Sequence, residues 1–169
     1  NDLIQWLPIN NVWMPMNQKK VHTHGLEATY QLEVFISEKS KLKWNSNYNY
    51  TVSTVIEKAA NERDDIIGKQ NIYIPFHKLN SSLKYTYVNT SLQFNLIHNG
   101  RMFTNPDNSV FIKDFMLANT AISEDLKWKK QHIELSFRIN NLFDTNYMNR
   151  LWYPMPGRNY QLGMNLKLN

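Results

Sequence analysis

Apolar and polar residues alternate along most of this chain, so its dominant period is two rather than 3.6. In GLEATYQLEVFI, Leu26, Ala28, Tyr30, Leu32, Val34 and Ile36 fall on one side, opposed by Glu27, Thr29, Gln31 and Glu33. Such a pattern predicts a β-strand with one polar face. KWNSNYNYTVSTVIE repeats it, with Trp44, Tyr48, Tyr50, Val52 and Ile56 against Asn45, Asn47, Asn49, Thr51 and Ser53. QHIELSFRI sets Ile133, Leu135, Phe137 and Ile139 against His132, Glu134, Ser136 and Arg138. The chain ends with Tyr160, Leu162, Met164, Leu166 and Leu168 facing one way and Gln161, Gly163, Asn165 and Lys167 the other. Further strands are predicted over 79–87 and 91–97, half a strand over 2–7, and one over 111–122 whose faces separate less cleanly.

Helical periodicity is nearly absent. The stretch IEKAANERDD, 56–65, is rich in helix formers but polar all round, and reads as a strand running out into a loop. No window approaches the roughly 18 consecutive apolar residues that a membrane helix requires.

Strand length and connection length bear on which kind of β-protein this is. Several alternating runs extend over about ten to fourteen residues, against about five or six for a typical soluble strand and nine to eleven for a tilted membrane-crossing strand. The connections alternate between short ones, at 37–41, 88–90 and 123–129, and long ones, at 8–18, 60–76 and 145–157, with 104–109 of intermediate length. Short turns at one end and long loops at the other fit an outer-membrane barrel. Trp44, Tyr48 and Tyr50 follow a short connection and Tyr85 and Tyr87 precede one, so these rings are predicted to form one interfacial girdle. The expected fold class is all-β, made of antiparallel transmembrane barrel strands. Their apolar side meets lipid, while Asn45, Asn47, Asn49, Glu134 and Arg138 line a hydrated lumen. Two alternatives stay open on pattern alone: a self-contained eight-stranded outer-membrane barrel with a structural or adhesive role, and a soluble β-sandwich with an aromatic core.

Composition narrows the chemistry. The 169 residues carry a formal net charge of +5, but Lys and Arg are scattered apart from short clusters at Lys19-Lys20 and from Lys127 to Lys130. No basic stripe or nucleic-acid motif accompanies them, so no nucleic-acid partner is expected. Without cysteine there are no disulfides and no thiolate metal sites. Glu62, Asp64 and Asp65 form a charged loop rather than a placed acid pair, and the five glycines include no phosphate-cradling motif. The chain is therefore not expected to be an enzyme, and no cofactor is implied.

The closing segment NLFDTNYMNRLWYPMPGRNYQLGMNLKLN carries the most specific signal. Asn141-Leu142-Phe143-Asp144, then Tyr147, an aromatic and proline-rich loop, Pro156-Gly157-Arg158 and a final alternating strand resemble the C-terminal end of a TonB-dependent outer-membrane receptor. DLIQWLP before the Gly25-Leu26-Glu27 strand opening, and GKQNIYIPFHKLN over 68–80, resemble earlier parts of such barrels in the same order. The resemblance implies a barrel of about 22 strands around an N-terminal plug, of which residues 1–169 would supply about the last eight. It also implies a place in the bacterial outer membrane and uptake of a scarce nutrient such as an iron–siderophore, haem or cobalamin. The implied partners are lipid, the plug and N-terminal strands, the TonB complex acting through an N-terminal box, the nutrient, and a surface lipoprotein over the loops. Neither plug nor box is expected in this sequence, and Asn169 stands where such barrels often end in an aromatic residue.

Elementary turn chemistry gives the closing motif a structural reading. Asn141 and Asp144 can hydrogen-bond nearby backbone, Leu142 and Phe143 can bury an apolar contact, Pro156 and Gly157 suit a turn and Gly157 tolerates positive φ, and Arg158 can pair inside the wall. For ligand contact, Trp6, Trp13, Trp152 and Tyr153 are the candidates because they are large, amphipathic and near loop mouths, with interfacial anchoring as the rival role. His22 and His24, at i and i+2, share one side of a strand but lack a third ligand nearby, so no metal site is assigned. Met14, Met16, Met102, Met148 and Met155 lie in or beside the loops, where thioethers serve either as soft ligands or as pliable packing.

Overall fold

The computed structural model describes residues 3–9, 12–18, 20–57, 66–128 and 131–167. In chain order the strands are β1 (Leu3–Ile9), β2 (Val12–Gln18), β3 (Lys20–Ser37), β4 (Ser40–Glu57), β5 (His77–Tyr87), β6 (Thr90–Asn99), β7 (Met102–Phe103), β8 (Phe111–Ile112), β9 (Phe115–Trp128), β10 (Gln131–Asn140), β11 (Met148–Arg150), β12 (Tyr153–Pro154) and β13 (Asn159–Lys167). Seven of them form one antiparallel sheet in the order β13-β10-β9-β6-β5-β4-β3. Each wall strand thus lies beside its nearest wall neighbour in sequence, an up-and-down meander. The wall is open. Its edges are β3 and β13, so among the described residues no closed eight-stranded barrel forms.

The register explains why alternation is kept so strictly. Leu32 pairs with Trp44, Trp44 with Leu83, and Leu83 with Phe94. One residue along, Gln31 pairs with Asn45, Asn45 with Ser82, Ser82 with Asn95, and Asn95 with Asn119. Paired residues share a face, so apolar rows and polar rows continue from strand to strand. A slip of one residue anywhere would push a polar row into the apolar face, and this fixes the pairing. Thr90 pairs with Glu124 although β9 continues to Trp128, which is the stagger of tilted barrel strands.

Neither wall face encloses a core. Leu26, Leu83, Leu92, Ile122 and Leu162 all remain exposed. The buried apolar residues, Val55, Ile66, Ile72, Met102, Ile112, Leu117 and Ala118, gather instead where the long connections pack against the upper strand ends.

Four readings of the sequence are corrected. Residues 8–18, expected as a long loop, belong mostly to a hairpin in which β1 and β2 pair from Leu3↔Gln18 to Ile9↔Val12. Pro8 pairs with Trp13 and Pro15 with Trp6, and a two-stranded ribbon offers outward-facing positions where a missing N–H costs no ladder bond. The stretch 123–129, expected as a short connection, is strand as far as Trp128: Ser123, Glu124 and Asp125 pair with Ser136, Leu135 and Glu134. The predicted strand 111–122 is split, its first two residues forming β8 against β7 and the rest opening β9. Finally, Tyr48 and Tyr50 do not share a level with Tyr85 and Tyr87. β4 has 18 residues, long enough that Tyr48 and Tyr50 pair with Leu79 and His77 at the far end from Tyr87. The stretch 56–65, read as a strand running out into a loop, ends β4 with Ile56 and Glu57, and its remaining residues lie outside the described ones.

Candidate functional site: a polar wall beneath a loop cap

The polar face is a hydrogen-bonded surface rather than a row of independent side chains. Asn47 donates through Nδ2 to Glu27 Oε1 and to Thr29 Oγ1, each at 3.0 Å, and Asn49 Nδ2 donates to Asn47 Oδ1. Gln93 Nε2 bridges Ser82 Oγ at 3.2 Å and Asn95 Oδ1 at 3.0 Å. Asn45 is in the same row as Ser82, Asn95 and Asn119, and these line a shallow concavity. Arg138 pairs with Ala121, itself opposite Gln93, and Glu134 pairs with Asp125. All five residues singled out for the lumen, Asn45, Asn47, Asn49, Glu134 and Arg138, therefore stand on one face of the sheet.

The closing motif builds a corner at the top of β10. Asn141 is 3% exposed with φ 51°, in the left-handed region that asparagine tolerates better than most residues. Its N–H donates to Asn119 Oδ1 at 2.8 Å, its Nδ2 to Thr145 O at 2.9 Å, and its Oδ1 accepts from Thr145 N–H at 2.8 Å. Leu142 N–H donates to Ala118 O at 2.7 Å. Asp144 Oδ1 accepts the Arg158 backbone N–H at 2.7 Å, which ties the two ends of the 141–158 connection together. Phe143 does not bury the apolar contact expected of it; at 72% exposure it points away from the corner. Gly157 does not use the positive φ that it tolerates. A Cβ there would meet Asp144 Oδ1 at 2.7 Å, so the Asp144 carboxylate would have to shift to admit any other residue. Tyr147 packs on Phe115 at 4.9 Å between ring centroids, and both Pro156 and the Arg158 side chain are exposed.

The cap is pinned to the wall by a buried amide. Gln70, 4% exposed, accepts Ser53 N–H through Oε1 at 2.8 Å and donates through Nε2 to Thr51 O at 3.3 Å and Ile74 O at 3.2 Å. Asn108 closes a second bridge, accepting Gln70 N–H and donating to Gln70 O, both at 2.8 Å. Tyr73 N–H donates to Phe103 O at 2.8 Å. Connections far apart in sequence are thereby held as one body. No single run of sequence signals Gln70 or Asn108, since each is one polar residue in a polar loop.

Two of the four aromatic candidates meet in this cap. Trp13 on β2 packs against Tyr73 at 6.1 Å, and the Arg150 guanidinium lies 4.4 Å from the centre of the Trp13 ring and 5.3 Å from that of Tyr153. Trp6 shares the face of Trp13, because it pairs with Pro15, but it is 59% exposed. Trp152, with φ 67° and 82% exposure, stands clear of the stack. Arg150 was not singled out from the sequence; a lone arginine in a loop gives no sign of which rings fold over it. His22 and His24 do stand together, 5.1 Å between ring centroids, but no group of three or more His, Asp or Glu among the described residues is placed to hold a metal. Of the methionines, Met102 is buried in the cap, where its sulfur accepts from Asn99 Nδ2.

Comparison with known proteins agrees with this architecture. A family model described as TonB dependent receptor-like, beta-barrel, matches residues 1–142. The chain belongs to that family. Three solved receptors share the fold of this TonB-dependent receptor barrel segment. The ferric preacinetobactin receptor BauA from Acinetobacter baumannii superposes with a TM-score of 0.70 over 98% of the chain, at 14% identity. The ferric yersiniabactin uptake receptor FyuA from Yersinia pestis gives 0.61 over 90% at 14% identity. The unliganded ferric citrate transporter FecA gives 0.64 over 90% at 17% identity. The segment spans 25%, 23% and 32% of those three chains respectively. Among curated proteins, none matches it.

Proposed function

We propose that this segment is part of the outer-membrane barrel of a receptor that takes up an iron chelate with energy delivered through TonB. The observation that carries the reading is the two-faced register, kept over seven strands that are mostly longer than soluble sheets use. On the apolar face, β5 spans 11 residues between His77, beside Tyr48 and Tyr50, and Tyr87 at the short turn. That is about 33 Å along the strand at ~3.3 Å per residue. At a tilt of roughly 40° it corresponds to an apolar band of about 25 Å flanked by aromatic rings, the profile of an outer-membrane barrel. Lipid then covers Leu83, Leu92, Phe94, Ile122 and Leu162, while Asn45, Asn47, Asn49, Glu134 and Arg138 line the lumen beside a plug domain.

Iron is favoured over haem or cobalamin because the three proteins named above are a ferric preacinetobactin receptor, a ferric yersiniabactin uptake receptor and a ferric citrate transporter. The cap, carrying Trp13 and Tyr153, is where the chelate would first bind. The test is to delete residues 145–157 from the whole receptor and supply a ferric chelate as sole iron source. Growth is expected to fail while the barrel still reaches the outer membrane; undiminished growth would overturn the reading.

A further inference from the structure

We propose that the outer face of the wall holds a phospholipid with a primary-ammonium headgroup, in a groove whose polar end is the Glu124 carboxylate. This rests on the lipid-facing orientation proposed above and is independent of the nutrient carried. Pairing puts Glu124 in the apolar rows: it stands opposite Thr90 on β6 and Leu135 on β10, and Leu135 stands opposite Met164 on β13. Among the described residues it is the one carboxylate in the apolar rows of the wall. An ionised side chain on a face that meets lipid is costly, and it is retained where a partner offsets that cost. The wall itself supplies little. The Thr90 hydroxyl donates to Glu124 Oε2, and no Lys or Arg among the described residues pairs with the carboxylate. Lys84, Lys127 and Arg138, on the strands around it, alternate to the polar face. The countercharge is left to come from the surroundings.

Those surroundings are shaped for a lipid. Ile122, Leu135, Phe137, Leu162 and Met164 line, with Glu124 and Thr90, an open groove of about 550 Å³. Leu162 and Met164 remain exposed, so nothing among the described residues fills it. The order of the rows matters. Leu135 and Met164 are level with Glu124, whereas Ile122, Phe137 and Leu162 pair one apolar row farther from the short turns, toward the middle of the apolar band. A phospholipid in the leaflet on the short-turn side has the same polarity, its charged head toward the turns and its chains toward the midplane. Leu126 and Ile133 pair in the next apolar row on the turn side of Glu124, which sets the carboxylate back from free water and strengthens its attraction for a cation. A primary ammonium brings both charge and N–H donors to a carboxylate, and such charge-assisted bonds are the strong ones. A side chain that served only to tie β9 to the turn between β5 and β6 would need no charge, since the Thr90 hydroxyl could donate equally to an amide oxygen.

The experiment reconstitutes the whole receptor in nanodiscs of equal phosphatidylethanolamine and phosphatidylglycerol, doped with one or the other lipid carrying a diazirine in its acyl chain, and maps the photolabel to peptides of β9, β10 and β13. In wild type the ethanolamine probe is expected to label the groove about threefold more than the glycerol probe, the worth of a weak ion pair near a surface. Glu124→Gln keeps an acceptor for Thr90 and loses the charge, so the two probes should label it equally. Thr90→Val loses the hydroxyl and keeps the charge, so it should retain the preference; each variant is first shown to be heat-modifiable like wild type. Equal labelling of wild type by the two probes would overturn the site and leave the lipid-facing orientation standing. A preference that survives Glu124→Gln, or one that Thr90→Val abolishes as fully as Glu124→Gln does, would also overturn the site. No label from either probe on the wild-type groove would overturn the orientation and the site together.

Discussion

Asn141 shows how one side chain can set a corner. Its backbone sits at φ 51° while its amide closes two bonds with Thr145, so residue type answers to conformation and to bonding at once. These demands separate by mutation. Asn141→Gly keeps the left-handed backbone accessible and loses the side-chain bonds, costing about 1 to 2 kcal/mol. Asn141→Ala also takes on the left-handed penalty of an L-residue, roughly 1 kcal/mol more. Urea unfolding of the whole receptor in liposomes should therefore rank wild type, then glycine, then alanine. An alanine variant as stable as the glycine one would show that φ carries no cost here. At this scale the sequence is a good guide to which residues make a turn and a poor one to how. The Asn141 and Asp144 side chains suit backbone bonding by type alone, whereas the crowding at Gly157 comes from Asp144 Oδ1, a neighbour that only the closed connection brings within 2.7 Å of a would-be Cβ.

Strands are where sequence and structure agree most, because alternation is the physical cause of the fold rather than a correlate of it. β3, β4, β5, β6, β10 and β13 all follow readable two-residue periods. The misread elements are those in which local chemistry points the other way. Polar Ser123, Glu124 and Asp125 look like a turn until their partners on β10 are known, and prolines in β1 and β2 look like a loop until the ribbon pairs. The loop cap was not legible at all, since Gln70, Asn108 and Arg150 matter through partners distant in the chain. The two faces of β5 give a direct test of orientation. Leu83 and Ser82 are adjacent, close to midway between His77 and Tyr87, and lie on opposite faces. Leu83→Arg should destabilise the receptor in liposomes by about 2 to 4 kcal/mol, the cost of a cation near the bilayer midplane. Ser82→Arg, on the polar side, should cost well under half of that. Equal penalties would mean that both faces meet the same surroundings.

At the scale of the molecule the decisive feature is what the wall leaves unmade. β3 and β13 are its two edges, and in neither does the outer row of backbone N–H and C=O groups find a partner within the sheet. In a bilayer such an edge is untenable, since each unsatisfied group costs several kcal/mol where no water can reach it. In water it is a template for pairing with other chains. The apolar face adds to the difficulty, because Leu26, Leu92, Leu162 and Met164 find nothing among the described residues to cover them. The 169 residues expressed alone should therefore not give a monomer by size exclusion in detergent, nor the heat-modifiable gel band of a closed barrel. Supplied together with the preceding strands as a second chain, they should gain both, because the complement satisfies β3 and β13 at once. A monomeric, heat-modifiable product from the segment alone would require its two edges to meet, and with seven wall strands that cannot be done antiparallel throughout: an odd number of alternating strands brings its first and last together in parallel.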